Sequence, residues 1–129
     1  MWNIQNRKLI RGWQAHIDAG LGCGADYEAN YEEIASPVDG LIEKQYTGSE
    51  GGLWLWIKDD KGRIWQFAHL SNYIGKVGAK IRKGTLIAIS GNTGSITTNP
   101  HIHLQIIKDG QRIDPEIIIN ELLKSMTIA

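Results

Sequence analysis

The chain has 129 residues, enough for one domain whose hydrophobic core needs no disulfide bonds to support it. Its 14 basic and 14 acidic residues give a formal net charge of zero, which excludes attraction to nucleic acid or to an anionic membrane as the basis of its function. Cys23 is the one cysteine, which excludes an intrachain disulfide and a zinc cluster of thiolates. We therefore expect a single domain over residues 1–129 that acts as a monomer.

The predicted elements along the chain are mostly short strands. The first residues, MWNIQNRKLIRGW, lack the apolar run of a signal peptide, and no later segment reaches transmembrane length. Apolar or alternating runs then recur between turn-forming sequences such as TGSEGG, DDKG and SGNTGS, and each run predicts a β-strand. In chain order these runs are GLIEKQY, GLWLWIKDD, RIWQFAHL, TLIAIS and HIHLQIIKDG.

Helical character is confined to the last segment, DPEIIINELLKSM. Pro115 suits the first turn of a helix, and Asp114 before it is suited to cap that turn. With no linker or low-complexity stretch to divide the chain, the pattern predicts an all-β fold. We expect an antiparallel β-sandwich or a two-layer antiparallel sheet, followed by a short C-terminal helix.

Two histidines share one face of the strand predicted in NPHIHLQI. Side chains two residues apart on a strand project to the same side, so the imidazoles of His101 and His103 are neighbours. A half-buried strand usually has aliphatic residues there, and two imidazoles in a core are costly unless each finds a partner. Because adjacent imidazoles are also a common way of presenting nitrogen ligands to zinc, the pair indicates either a metal site or a substrate-facing cleft.

Two further histidines complete the set of four in this chain. His69 lies in WQFAHLS, at the end of a predicted strand, and His16 lies in GWQAHIDAG, ahead of the carboxylates Asp18 and Asp26. The succession from His16 and Asp26 through ASPVDGLI, FAHLS, VGAKIRKGTLIAISGNTG and PHIHLQI resembles the lysostaphin-type and beta-lytic zinc metalloendopeptidases. The resemblance covers the chain from about Trp13 to Asp114.

That resemblance implies a function and a fold. Members of the family cleave peptide bonds in bacterial peptidoglycan, use Zn²⁺ as cofactor and have the duplicated hybrid motif fold. The expected substrate is therefore a peptidoglycan peptide, either a glycine bridge or a D-Ala–diamino acid cross-link. The expected location is the cell wall, reached by secretion, through the periplasm or by phage delivery.

Carried over residue by residue, the resemblance implies His16, Asp26 and His103 as zinc ligands, and His69 and His101 as catalytic histidines. Two imidazoles and one carboxylate leave a tetrahedral zinc one open position for water, which the ion acidifies. An imidazole free of the metal can take the proton of that water, steady the developing oxyanion or protonate the leaving amine.

The sequence departs from the commonest form of the family at the first ligand. In most members a histidine stands four residues before the aspartate, and here that position is Gly22, with Gly24 matching a glycine between them. We assign the ligand to His16, ten residues before Asp26, because the beta-lytic branch also spaces these ligands widely. Cys23, or the absence of a third ligand, stays open as the alternative.

Other functions are compatible with parts of the pattern. A member of the fold that has lost its zinc ligands could serve as a wall-binding or activator module, and Gly22 is the feature in its favour. VGAKIRKGTLIAIS also resembles a hairpin of biotinyl and lipoyl carriers, but the GNTG that follows lacks their lysine. The tryptophans Trp54, Trp56 and Trp65 are expected in core or cross-strand packing rather than in a glycan platform.

Overall fold

A computed structural model describes residues 1–20, 23–97 and 99–127. The elements in these ranges are β1 (Leu9–Arg11), α1 (Trp13–Asp18), β2 (Ala25–Glu28), β3 (Glu33–Ala35), β4 (Gly40–Gly48), β5 (Gly52–Asp59), β6 (Ile64–Tyr73), β7 (Lys80–Ile81), β8 (Leu86–Ser90), β9 (His101–Lys108), β10 (Gln111–Ile113) and α2 (Pro115–Thr127). The predicted antiparallel all-β fold with a short C-terminal helix is confirmed. None of the helices in the described ranges has the length and apolar character needed to cross a membrane.

The strands form one hydrogen-bonded antiparallel sheet in which β9 lies between β2 and β6. The order across the sheet is β1-β2-β9-β6-β5-β4-β7, while β10 pairs with β9, and β8 pairs with both β3 and β6. Because β2 and β6 flank β9, residues from three distant parts of the sequence lie side by side. Asp26 is directly opposite His103, and Ala68 of β6 is opposite His103 on the other side.

Strand β9 separates the core from the open face of the sheet. Ile102, Leu104 and Ile106 are fully buried, whereas His101 and His103 lie on the opposite face and are partly exposed. This alternation is the one that the sequence predicts. Replacing Leu104 by alanine would leave a cavity and cost about 2–5 kcal/mol. Burial of this apolar face therefore fixes the position of the strand that presents His101 and His103 on the open face.

A helix that the sequence analysis did not predict precedes β2. Helicity was expected at the C-terminus alone, yet Trp13–Asp18 forms α1. Six residues are too few to show a helical repeat, and Gly12 at the N-cap makes no side-chain cap, so the usual sequence signals are missing.

The predicted cap of α2 is present, because the Asp114 carboxylate accepts a hydrogen bond from the Glu116 backbone N–H at 3.0 Å.

His69 lies inside a strand and not at its end as expected. Strand β6 continues to Tyr73, and its residues as far as Ala68 pair with β9, while those from Leu70 pair with β8. At the change of partner, His69 has a φ of 61°, in the left-handed region that few non-glycine residues adopt. The expected end of the strand is therefore the point where β6 changes its partner from β9 to β8.

Candidate metal centre

Three potential metal ligands meet on the open face of the sheet. His16 comes from α1, Asp26 from β2 and His103 from β9, and their ligand atoms all lie within 4.8 Å of one another. His16 Nε2 is 3.2 Å from one carboxylate oxygen of Asp26, and His103 Nδ1 is 2.8 Å from the other. The structure thus brings together the three residues that the sequence predicts as ligands; their binding of a metal stays a prediction.

The second nitrogen of each of these imidazoles has a hydrogen-bond acceptor. His16 Nδ1 is 2.9 Å from the backbone oxygen of Gly12, which accepts only, so Nδ1 carries the hydrogen and Nε2 presents its lone pair to Asp26. His103 Nε2 is 2.9 Å from Gln105 Oε1, which leaves the Nδ1 lone pair facing the same carboxylate. Two lone pairs and a carboxylate without a donor between them suit a cation, and this set of nitrogen and oxygen atoms fits zinc.

Asp26 is held as a carboxylate. Its burial favours the neutral acid, but the neighbouring imidazoles of His103, His16 and His101, which favour the carboxylate whenever they carry an extra proton, outweigh this effect. Together they hold the pKa of Asp26 below its ordinary value of 3.8. The side chain is therefore an anionic carboxylate throughout the neutral range.

The other two histidines stand beside this cluster as a pair. The ring centroids of His69 and His101 are 4.7 Å apart, and His101 Nε2 is 3.6 Å from Asp26 Oδ1. His69 Nδ1–H donates to the Thr93 backbone oxygen at 2.7 Å, and His101 Nδ1–H donates to the Asn99 backbone oxygen at 2.7 Å. Each ring therefore keeps its Nε2 for the cleft. Burial lowers the pKa of His69 below its ordinary 6.5, so this imidazole is neutral at pH 7 and able to accept a proton.

The glycine-rich loop after β8 supports His69 through Thr93. Thr93 Oγ1 donates to the backbone oxygen of Leu70 at 2.6 Å and accepts the Leu53 backbone N–H at 3.1 Å. Gly94, with a φ of 98°, lies against the backbone of the β4–β5 turn, where a side chain would overlap Glu50. Close packing of two turns therefore explains Gly94, whereas Gly91 of the same segment lies against Ser71 of β6.

A cleft of about 320 Å³ opens over the four histidines and Asp26. Its lining residues outside the four histidines and Asp26 are Ile10, Arg11, Glu50, Gly51, Trp54, Ile96, Thr97, Asn99, Pro100 and Gln105. Trp54 stacks on Tyr46 across the strands with ring centroids 6.0 Å apart, as expected of cross-strand packing. Its ring centroid also lies 6.3 Å from that of His103, with the two rings nearly perpendicular. Trp65 is fully buried in the core.

Sequence reasoning missed the part of Trp54 and Gln105 in this cleft. Gln105 follows His103 by two residues and so shares its face of β9, a signal that was present in the sequence. Trp54 gave no such signal, because its proximity to His103 depends on how β5 and β6 pair.

The chain departs from the common family spacing at Gly22, which lies outside the residues that the structure describes. Cys23 is a free, half-buried cysteine, and the one cluster of metal-ligating side chains in the described part of the chain does not include it. Gly24 lies against His103, since a Cβ there would be 2.5 Å from Cε1 of that ring.

Comparison with known proteins identifies relatives of this arrangement. The family model for peptidase family M23 matches residues 21–115. The peptidoglycan DD-endopeptidase ShyC of Vibrio cholerae is 27% identical over 108 residues, covering 81% of this chain and 24% of that protein. The glycyl-glycine endopeptidase ALE-1 of Staphylococcus capitis is 34% identical over 96 residues, covering 69% of this chain and 25% of that protein.

A solved structure extends the likeness to the fold. The catalytic domain of lysostaphin from Staphylococcus simulans superposes with a TM-score of 0.79 at 26% identity, covering 91% of this chain and 95% of that domain. The chain spans about a quarter of the length of the two curated relatives above.

Proposed function

The chain belongs to peptidase family M23, and on that premise we propose that it is a zinc-dependent endopeptidase that hydrolyses peptide bonds in bacterial peptidoglycan. The names of relatives support the substrate, since one is a peptidoglycan DD-endopeptidase and another a glycyl-glycine endopeptidase. The observation that carries the proposal is the meeting of His16, Asp26 and His103 beside two imidazoles whose Nε2 atoms face the cleft. We further propose that residues 1–129 form one domain and act as a monomer at the cell wall.

His16 Nε2, His103 Nδ1 and an oxygen of Asp26 would hold the zinc. A zinc ion in that position supplies Lewis acidity, which polarises the scissile carbonyl and lowers the pKa of a water molecule. The Gly12 backbone oxygen and Gln105 fix the two imidazoles in the tautomers that binding requires.

His69 and His101 would move protons and stabilise charge. His69 is buried, neutral and fixed by Thr93, so its Nε2 is suited to take a proton from the attacking water. His101 is less buried than His69 and adjoins Asp26, and its Nε2 is suited to stabilise the developing oxyanion or to protonate the leaving amine. The two rings lie close enough to act on the same peptide bond.

A module without catalysis is the weaker alternative. It rests on the glycine at position 22, whereas the described residues contain a full set of two imidazoles, a carboxylate and two further histidines in one cleft.

Metal analysis tests the first half of the proposal. We expect about one zinc per chain after purification without chelator, measured by elemental analysis. His16→Ala should lower zinc affinity by orders of magnitude, because it removes one of three ligands. Cys23→Ala should bind zinc as wild type does. Wild-type affinity in His16→Ala together with a large loss in Cys23→Ala would show that Cys23 is the ligand instead of His16.

Cleavage assays test the second half. Purified peptidoglycan, both glycine-bridged and directly cross-linked, should be cut in a reaction that a chelator stops and zinc restores. His69→Ala and His101→Ala should retain zinc but lose about 10²–10⁴-fold in rate, since each removes a proton-transfer or oxyanion-stabilising group. Zinc-loaded protein inert on both substrates would favour the binding module.

A further inference from the structure

Of the four histidines in the cleft, His103 is oriented in a different way. The backbone oxygens of Gly12, Thr93 and Asn99 accept from His16, His69 and His101 respectively. His103 instead uses a side chain, with its Nε2 at 2.9 Å from Gln105 Oε1. The tautomer of this ring therefore depends on how one carboxamide is turned.

Gln105 is in turn held by a second carboxamide. Its Nε2 donates to Oε1 of Gln66 at 3.0 Å, and the two residues are direct cross-strand partners on β9 and β6. Gln66 is buried, with 4% of its surface exposed. In this arrangement the NH₂ group of Gln105 faces the Gln66 oxygen, which only accepts, and the Gln105 oxygen faces His103.

The opposite orientation of Gln105 would work against metal binding. An NH₂ group facing His103 would require the lone pair on Nε2 and move the ring hydrogen to Nδ1. That hydrogen would point at Asp26, 2.8 Å away, and would occupy the lone pair that the ligand role needs. The direction of the two-glutamine chain thus decides whether His103 presents a donor or a lone pair to the cleft.

We propose that Gln105 and Gln66 are positioning residues that fix His103 as an Nδ1 ligand, with Gln66 acting through Gln105. The inference rests on the zinc site proposed above. Partners of this kind in the outer shell of a metal site change its affinity by about 10–100-fold when removed. The effect should therefore be measurable in metal binding itself, without any assay of catalysis.

The test is zinc affinity, measured by competition with a chromophoric chelator, for two variants of similar size. Gln105→Leu keeps the bulk of the side chain but accepts no hydrogen bond, so we expect affinity to fall about 10–100-fold. Gln105→Glu restores an acceptor and should bind zinc at least as tightly as wild type. Gln111→Ala, an exposed glutamine on the neighbouring strand β10, is the matched control and should have no effect.

Gln66→Leu should weaken zinc binding less than Gln105→Leu does, and the double variant should equal Gln105→Leu alone. This non-additivity is the mark of a residue that acts through another. The visible spectrum of the Co²⁺-loaded protein should change in Gln105→Leu and return in Gln105→Glu. The melting temperature of the metal-free protein should be similar in these two variants.

Three results would overturn the proposal in different ways. Wild-type affinity in Gln105→Leu would show that the hydrogen bond has no part in binding. Equal losses in Gln105→Leu and Gln105→Glu would show that only packing is at stake. A wild-type protein that binds no zinc would overturn the proposed function itself and this inference with it.

Discussion

Gly24 is a single position where a side chain would disturb the candidate metal centre. A Cβ there would lie 2.5 Å from His103 Cε1 and 2.8 Å from Nε2. We expect Gly24→Ala to displace the ring at a cost of about 1–3 kcal/mol, as overpacking does elsewhere, and so to lower zinc affinity about tenfold or more. Chelator competition measures this loss. Gln111→Ala, at an exposed position on β10 that does not line the cleft, is the control and should leave affinity unchanged.

Individual residues of the cleft differ in how far the sequence foretells them. The same-face placement of His101 and His103 follows from the two-residue period of a strand, which depends on nothing beyond the local sequence. The distance from His16 to Asp26 depends on the path of the chain between α1 and β2, and no local pattern encodes it. The sequence therefore predicts His16 as a ligand only through the family resemblance. In the structure His16 Nε2 lies 3.2 Å from a carboxylate oxygen of Asp26.

The β5–β6 hairpin depends on one buried carboxylate at its turn. Asp59 accepts from the backbone N–H groups of Lys61 and Arg63, from Arg63 Nε at 2.6 Å and from Trp65 Nε1 at 3.0 Å. Asp59→Ala would leave the buried Arg63 guanidinium without its anion, which we expect to cost about 3–5 kcal/mol. Urea unfolding of the metal-free protein gives this value. Asp60→Ala, at the exposed neighbour, should change stability by no more than about 0.5 kcal/mol.

Strands were easier to predict than the short helix and the kink. The alternating run HIHLQI and the turn DDKG contain their own signals, and β9 and the β5–β6 hairpin formed where expected. Helix α1 has six residues and no side-chain cap, and it is held by tertiary contacts such as the burial of His16. The kink at His69 arises where β6 exchanges β9 for β8, which depends on the arrangement of the whole sheet.

The two ends of the chain are joined through one ion pair on the far side of the fold. Arg7, before β1, donates from Nε to Glu116 of α2 at 2.8 Å, and the Tyr27 hydroxyl donates to the same carboxylate at 2.7 Å. Tyr27 is fully buried on β2, next to the candidate ligand Asp26. The C-terminal helix thus supports the strand that presents the carboxylate to the cleft.

This junction should make stability depend on pH. Burial opposes ionisation of Glu116, but the hydrogen bonds from Arg7 and Tyr27 outweigh it and hold its pKa below the ordinary 4.5. A carboxyl whose pKa is lower in the folded state stabilises the fold above the unfolded value, and that contribution is lost as pH falls through the folded value. We expect Glu116→Gln to cost about 1 kcal/mol at pH 7, since the pair is partly exposed.

The difference between wild type and Glu116→Gln should then shrink as the pH is lowered below 4.5, because protonation removes from wild type what the substitution has already removed. Urea unfolding of the metal-free protein at about pH 7, 5, 4 and 3 follows this difference from above to below the ordinary pKa of 4.5. Glu121→Gln, an exposed glutamate on the same helix, should show no such trend. A difference that stays constant down to about pH 3 would mean that Glu116 acts through its shape and not through its charge.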